Sequence, residues 1–340
     1  MLNLKERIDL LAQLGEYLKD TENDAFQKVV LKAGSENPWF TKENVIKALS
    51  SLETTFLHEK ILRNWSDKYC LDDHLKVHKI GLILAGNIPL VGWHDIMSCF
   101  ICNKISIIKY SDKDKVLIPF LIEKLISFNP KASDYFESVD RLTDYDAVIA
   151  TGSNNSATVF EYYFHHVPNI IRRNRNAVAI LDGTEAASDL ELLSEDIFSY
   201  FGLGCRNVSK LYVPEQYDFT SLFKAFEKFT EIIQHNKYKN NYDYNFALFL
   251  LNQEPILQHD LIILRAANQI ASRIGSLNYE YYKDVQSLKS DLSTHIDEIQ
   301  CIIACNNFQF ENQFNFGLSQ YPCITDYADG VDTIQFLLGL

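Results

Sequence analysis

The sequence predicts an α/β protein built on parallel sheets and preceded by a helical amino-terminal region. Three observations carry this: apolar residues at helical spacing through residue 75, strand-like apolar runs alternating with helix-period segments from residue 78, and glycine where those runs end. A chain of 340 residues, 47% hydrophobic and 23% charged, is long enough for two domains or one large α/β unit, each with a sizeable core.

In chain order, "LKERIDLLAQLGEYL" repeats apolar residues at three and four. "TKENVIKALSSLETTFL" opens with Thr41 as an N-cap and Glu43 in the first turn, where a negative charge suits the helix dipole. "HKIGLILAG" is a continuous apolar run ending in glycine, as expected of a strand buried on both faces. A helix over "NIPLVGWHDIMSCFICN" and a second strand, "KISIIKYS", follow. "KVLIPFLIEKLISF" reads as a helix, "YDAVIATGS" as a third strand and "NNSATVFEYYFHH" as a helix capped by Asn154. "NIIRRN" and "NAVAILDGTE" read as two short strands. Beyond residue 205, helices are expected over 219–234 and 255–274, and strands over 210–214, 244–251 and 298–305, in a second α/β domain.

Charge and composition exclude several functions. A net charge of −13 disfavours nucleic-acid binding, which needs basic surface to release counterions. No apolar run approaches the roughly 20 residues of a membrane span. The amino terminus is amphipathic and has no secretory apolar core, so a cytoplasmic protein is expected. Seven cysteines fit reduced thiols better than a disulfide framework. Cys99 and Cys102 form a CxxC without partners at zinc-like spacing, so no metal site is expected and both read as core. Cys301 and Cys305 read as one face of a strand, and Cys70 and Cys323 carry no pattern.

Ligands on parallel sheets bind beyond the carboxyl ends of the strands. That rule selects three turns: Gly86-Asn87, Lys109-Tyr110-Ser111 and Thr151-Gly152-Ser153. A GxGxxG fingerprint is absent, although a glycine turn before a helix can still cradle an anion. Gly152 and Ser153 suit such a turn or a plain strand-to-helix connection. Lys109 suits a ribose 2′-phosphate or simply reaches solvent. Asn87, between Gly86 and Ile88-Pro89, is a rigid oxyanion donor or a turn former. Cys205, in "GLGCRNVSK", lies in a glycine-flanked bend beside Arg206, as a nucleophile or as a loop cysteine. No GxSxG elbow supports a serine hydrolase.

In this order the motifs resemble the aldehyde dehydrogenase superfamily, and more closely the fatty acyl-CoA reductases of the LuxC family. The matching stretches are "GNIPLVGWHDIMSCFICNKISIIKYSDKD", "ATGSNNSATVFEYYF", "IIRRNRNAVAILDGTE", "FGLGCRNVSKLYVPE" and "QYPCITDYADGVDTIQFL". The resemblance implies an aldehyde-dehydrogenase-like fold: a helical region over 1–75, a Rossmann-type NADPH-binding domain over 76–183, a smaller catalytic domain over 184–325 and a terminal segment over 326–340. It implies Cys205 as the acyl-accepting nucleophile and Asn87 as the oxyanion donor. Gly86, Pro89, Lys109, Ser111, Thr151, Gly152 and Ser153 would contact the cofactor.

The implied reaction is NADPH-dependent reduction of a long-chain fatty acyl-CoA to the aldehyde. The implied partners are the activated acyl substrate, an acyl-activating protein and further copies of the chain. Where aldehyde dehydrogenases carry a glutamate base in "LELGGK", this chain reads "AILDGTE", with Ala179 or Ile180 in the place of glutamate. Losing a base that activates water suits a reductase. The alternatives are an aldehyde dehydrogenase forming acids and a non-catalytic acyl- or partner-binding protein of the same fold.

Overall fold

The computed structural model describes residues 1–69, 71, 76–305 and 308–340. The described residues form two units, one of residues 1–174 and 322–340 and the other of residues 175–321.

The first unit opens with four helices: α1 (Leu4–Leu18), α2 (Asp24–Glu36), α3 (Lys42–Thr55) and α4 (Glu59–Ser66). Thr41 caps α3 by accepting from the Asn44 N–H at 3.3 Å. Then come β1 (Lys79–Ile83), α5 (Trp93–Ile101), β2 (Ile105–Lys109), α6 (Leu117–Phe128), β3 (Phe136–Ser138), β4 (Ala147–Thr151), α7 (Asn154–Phe164) and β5 (Asn169–Arg172). The strands are all parallel in the order β3-β2-β1-β4-β5, a Rossmann-type arrangement whose strand order, not strand direction, reverses between β1 and β4. β1 and β4 are buried through their centres, which is why both read as unbroken apolar runs. Arg7, fully buried on α1, donates to Ile101 O at 3.1 Å and to Asn103 Oδ1 at 3.3 Å, fastening the helices to the end of α5.

The second unit contains β6 (Asn176–Ile180), α8 (Ala187–Phe198), β7 (Val208–Pro214), α9 (Thr220–Phe226), α10 (Asn236–Leu251), β8 (Ile256–Gln258), β9 (Ile263–Ala266), β10 (Ser276–Tyr282), α11 (Val285–Thr294), β11 (Ile299–Ala304) and β12 (Gln313–Phe314). Its sheet runs β12-β11-β6-β7-β10-β9-β8, parallel except for β8. The chain then returns to the first unit with α12 (Thr333–Leu338), whose Thr333 hydroxyl accepts from Arg172 at 3.1 Å.

The two units divide at residue 174, where β6 is bonded to β7 and β11 of the second sheet, and residues 322–340 group with the first unit. Several expectations are corrected. Residues 244–251 are helix: buried Tyr238, Tyr242, Asn245 and Phe249 form a helical stripe, and Leu250 and Leu251 face solvent. Residues 255–274 hold β8 and β9 instead of a helix, since the "LIIL" run is recruited as a neighbour of β10. The helix expected from residue 87 begins only at Trp93, because Leu90 adopts a left-handed φ of 62°. The cap of α7 is Ser153 rather than Asn154.

Candidate active site

In the first unit the three glycine- or lysine-bearing turns follow β1, β2 and β4. Gly86 is buried, and a Cβ there would stand 2.6 Å from Ser111 Oγ and 2.7 Å from Ser111 Cβ. Only glycine lets the turn after β1 press against the turn after β2. Asn87 is half-buried in the bend that follows, and Pro89 is buried. Thr151 ends β4, and Gly152 is held by its N–H to Arg172 O at 3.2 Å. A Cβ on Gly152 would meet Ser156 Cβ at 2.8 Å and Phe160 at 2.9 Å, so glycine brings α7 close to the sheet. Ser153 is exposed and accepts from the Ser156 N–H at 3.2 Å. These turns lie on either side of the strand-order reversal, where an open α/β sheet offers its crevice.

Lys109 is exposed at the end of β2 and lines a cavity of ≈ 520 Å³ with Tyr110, Asp112, Lys115, Glu123 and Asp140. Burial pushes the Tyr110 phenol up to about 12, so it stays a neutral hydroxyl. Lys115 pairs with Asp112 at 2.5 Å and holds its carboxyl below the usual range. The cavity therefore presents cations and acceptors together.

In the second unit the chain leaves α8 through a tight reversal. Tyr200, Phe201 and Gly202 have φ values of 51°, 59° and 74°, all left-handed. For the two aromatic residues this costs roughly 1–2 kcal/mol each. Cys205 follows, half-buried, in a turn closed by the Asn207 N–H donating to Gly204 O at 3.1 Å. The Asn207 side chain, 1% exposed, accepts from the Gly204 N–H at 2.8 Å and donates to the carbonyls of Asp196, Ile197 and Ser199. The Arg206 guanidinium lies 5.0 Å over the Phe314 ring.

Ala179 and Ile180 are fully buried in β6. Asp182 and Glu185 are occupied by their own turn: Glu185 accepts from the Asp182 N–H at 2.5 Å, and Asp182 accepts from the Thr184 hydroxyl at 2.6 Å. Cys99 and Cys102 are buried, and desolvation pushes both thiols up, Cys102 to about 12. Cys301 is buried, Cys305 lies 3.8 Å from Asp182 Oδ2, Cys323 is exposed, and Cys70 is outside the described residues. The aromatic run near residue 310 joins the core, with Phe308 stacked on Phe310.

The sequence reading missed two residues that shape these turns. Asp114, 2% exposed, accepts from the Leu90 N–H at 3.0 Å and from the Leu117 N–H at 3.2 Å, tying the turn after β1 to the start of α6. Burial pushes its carboxyl up, and backbone N–H donors including those of Leu90 and Leu117 pull the other way. An aspartate three residues before an apolar helical run is a capping signal that was available in "SDKDKVL". Asn207 gave no comparable signal, since its partners lie back in α8.

Aldehyde dehydrogenases are prominent among the structural neighbours. Aldehyde dehydrogenase 21 from Physcomitrella patens, solved with its product succinate, superposes with a TM-score of 0.69 at 11% identity, covering 100% of this chain and 84% of its own. An aldehyde dehydrogenase from Bartonella henselae gives 0.64 at 10% identity over 96% and 86%. The Mycobacterium tuberculosis aldehyde dehydrogenase complexed with NAD+ gives 0.63 at 13% identity over 89% and 73%. No family model matches the chain, and no curated protein matches it in sequence. Among the described residues no helix is long and apolar enough to cross a membrane, and no group of three His, Cys, Asp or Glu is placed to hold a metal ion. The chain has an aldehyde-dehydrogenase-like fold: a Rossmann-type parallel-sheet unit, a second α/β unit and a helical amino terminus.

Proposed function

We propose that this chain is a nicotinamide-dinucleotide-dependent oxidoreductase that reduces a fatty acyl-CoA thioester to the aldehyde, with Cys205 as the acyl-accepting nucleophile. The observation that carries the reading is the fastened turn around Cys205, on a fold whose solved neighbours are aldehyde dehydrogenases. The Cys205 sulfur attacks the thioester carbon, the C–S bond to the carrier breaks, and the carrier leaves as a thiol carrying the displaced proton. The Asn87 amide and the Cys205 N–H are the proposed donors to the oxyanion.

Gly86, Pro89, Ser111, Thr151, Gly152 and Ser153 are the proposed cofactor contacts. Lys109 at its cavity favours NADPH, and the acceptors there suit ribose hydroxyls. When bound, the dinucleotide supplies a hydride. Cleavage of the Cys205–acyl bond then releases aldehyde and leaves the Cys205 thiolate, which takes a proton from solvent to restore the thiol. Ala179 or Ile180 stands where the resemblance places a water-activating glutamate, which favours reduction over hydrolysis to an acid.

The test supplies a long-chain acyl-CoA with NADPH or NADH and follows cofactor absorbance. Intact mass is recorded after acyl-CoA alone. One acyl chain of mass gain, lost in Cys205→Ala along with turnover, is expected. Cofactor consumption by Cys205→Ser at the parental rate would sink the covalent route. Faster turnover of aldehyde with NAD(P)⁺ in the absence of CoA would assign the oxidising reaction instead.

A further inference from the structure

We propose that Asn207 is a positioning residue for Cys205, and that Asp196 extends the same clamp to the loop over residues 315–320. This rests on reading Cys205 as the acyl-accepting nucleophile. The last carbonyls of a helix lose their intrahelical donors, and here the chain turns left-handed at Tyr200, two residues after α8 ends. One buried side chain serves three of them: Asn207 Nδ2 donates to Asp196 O at 3.0 Å, Ile197 O at 3.4 Å and Ser199 O at 2.8 Å. Its Oδ1 accepts from the Gly204 N–H at 2.8 Å, so the turn carrying Cys205 is fastened to the end of α8 by a single amide.

Asp196 works in two directions. Its carbonyl receives Asn207, and its fully buried carboxylate accepts from the Gly317 N–H at 2.7 Å, the Ser319 N–H at 3.1 Å and the Ser319 hydroxyl at 2.6 Å. Gly317 has φ 80°, and a Cβ there would meet Leu192 of α8 at 2.8 Å, so this loop approaches the same helix closely. The cysteine turn and the loop over 315–320 thus share one anchor. Side chains fixed in this way hold a reacting atom in its attack geometry, and small misplacements cost about 100-fold in rate.

Asn207→Ala is expected to lower the rate of Cys205 acylation by acyl-CoA, read by intact mass, about 100-fold. The KM for the acyl-CoA should change less than about threefold, because the residue positions the thiol rather than binding substrate. Asn207→Asp keeps the acceptor for Gly204 and loses the donors to the three carbonyls. It should fall with Asn207→Ala, and it stands in where the alanine variant does not fold. Asp196→Asn should show an intermediate loss. Parental acylation rates in folded Asn207→Asp would overturn the clamp while leaving the proposed reaction intact. If the parent itself gains no acyl mass, the proposed reaction fails, and alkylation of Cys205 by iodoacetamide still tests the clamp. A rate changed at least about fivefold by the uncharged Asn207→Ala supports it, and equal rates overturn it.

Discussion

At the scale of single residues, the turns are shaped by what glycine omits. Gly86 and Gly152 both lack a Cβ at positions where one would stand under 3 Å from a neighbour, yet neither has a left-handed φ. Their role is close approach rather than conformational freedom. Gly86→Ala should cost about 1–3 kcal/mol through overpacking against Ser111. Adding Ser111→Gly should recover most of that loss, since it removes the clashing Cβ. Thermal melts of the single and double variants check this, and equal destabilisation in both would contradict the packing argument. Strand ends at Gly86, Lys109 and Gly152 were legible because buried parallel strands are continuous apolar runs with sharp stops. Asn207 was not, because its bonding partners are backbone groups that composition does not reveal, whereas Asp114 carried a capping signal before α6.

Elements show where local preference is overruled. The "ALFLL" run reads as a strand, but the buried stripe from Tyr238 to Phe249 fits a helix, and the exposed leucines at its end are the residue of that choice. Pairing with β10 makes "IILRA" a strand although helix-forming residues surround it. α6 depends on Asp114, which lies before its first turn and also holds Leu90 in its left-handed conformation. Asp114→Ala would strand two buried N–H donors, each worth about 1–3 kcal/mol when unsatisfied. Urea unfolding should show a lower midpoint with an unchanged slope, and Asp114→Asn, which keeps one acceptor, should lie between. An unchanged midpoint in Asp114→Ala would show that the N–H groups find other partners.

For the whole molecule, one buried and one half-buried histidine set a pH limit. His78 is 6% exposed, and burial, with Lys104 and Lys76 nearby, holds its imidazole below the usual 6.5. His259, stacked on Phe223, is lowered by burial as well. Each binds a proton less readily folded than unfolded, so stability should fall as pH drops below about 6.5, by up to about 1.4 kcal/mol per pH unit per proton of difference. Asp114 and Glu185 are raised by burial, so as pH falls they take up protons in the fold before the unfolded chain does and offset part of the loss. Unfolding midpoints from pH 8 to 5 check the sign. The slope should flatten in His78→Gln, and a midpoint independent of pH would count against it.

From the sequence alone came the α/β class, the strand runs within residues 78–86, 104–111 and 145–153, and the candidate residues at their ends. Each depends on contiguous apolar patterning or on glycine at a strand end, which the chain displays locally. Tertiary structure alone decided which sheet β6 joins, that the chain returns to the first unit after residue 321, and which side chain fastens the turn around Cys205. Those outcomes depend on hydrogen bonds and packing between residues far apart in the chain, and no local pattern encodes which distant partner prevails.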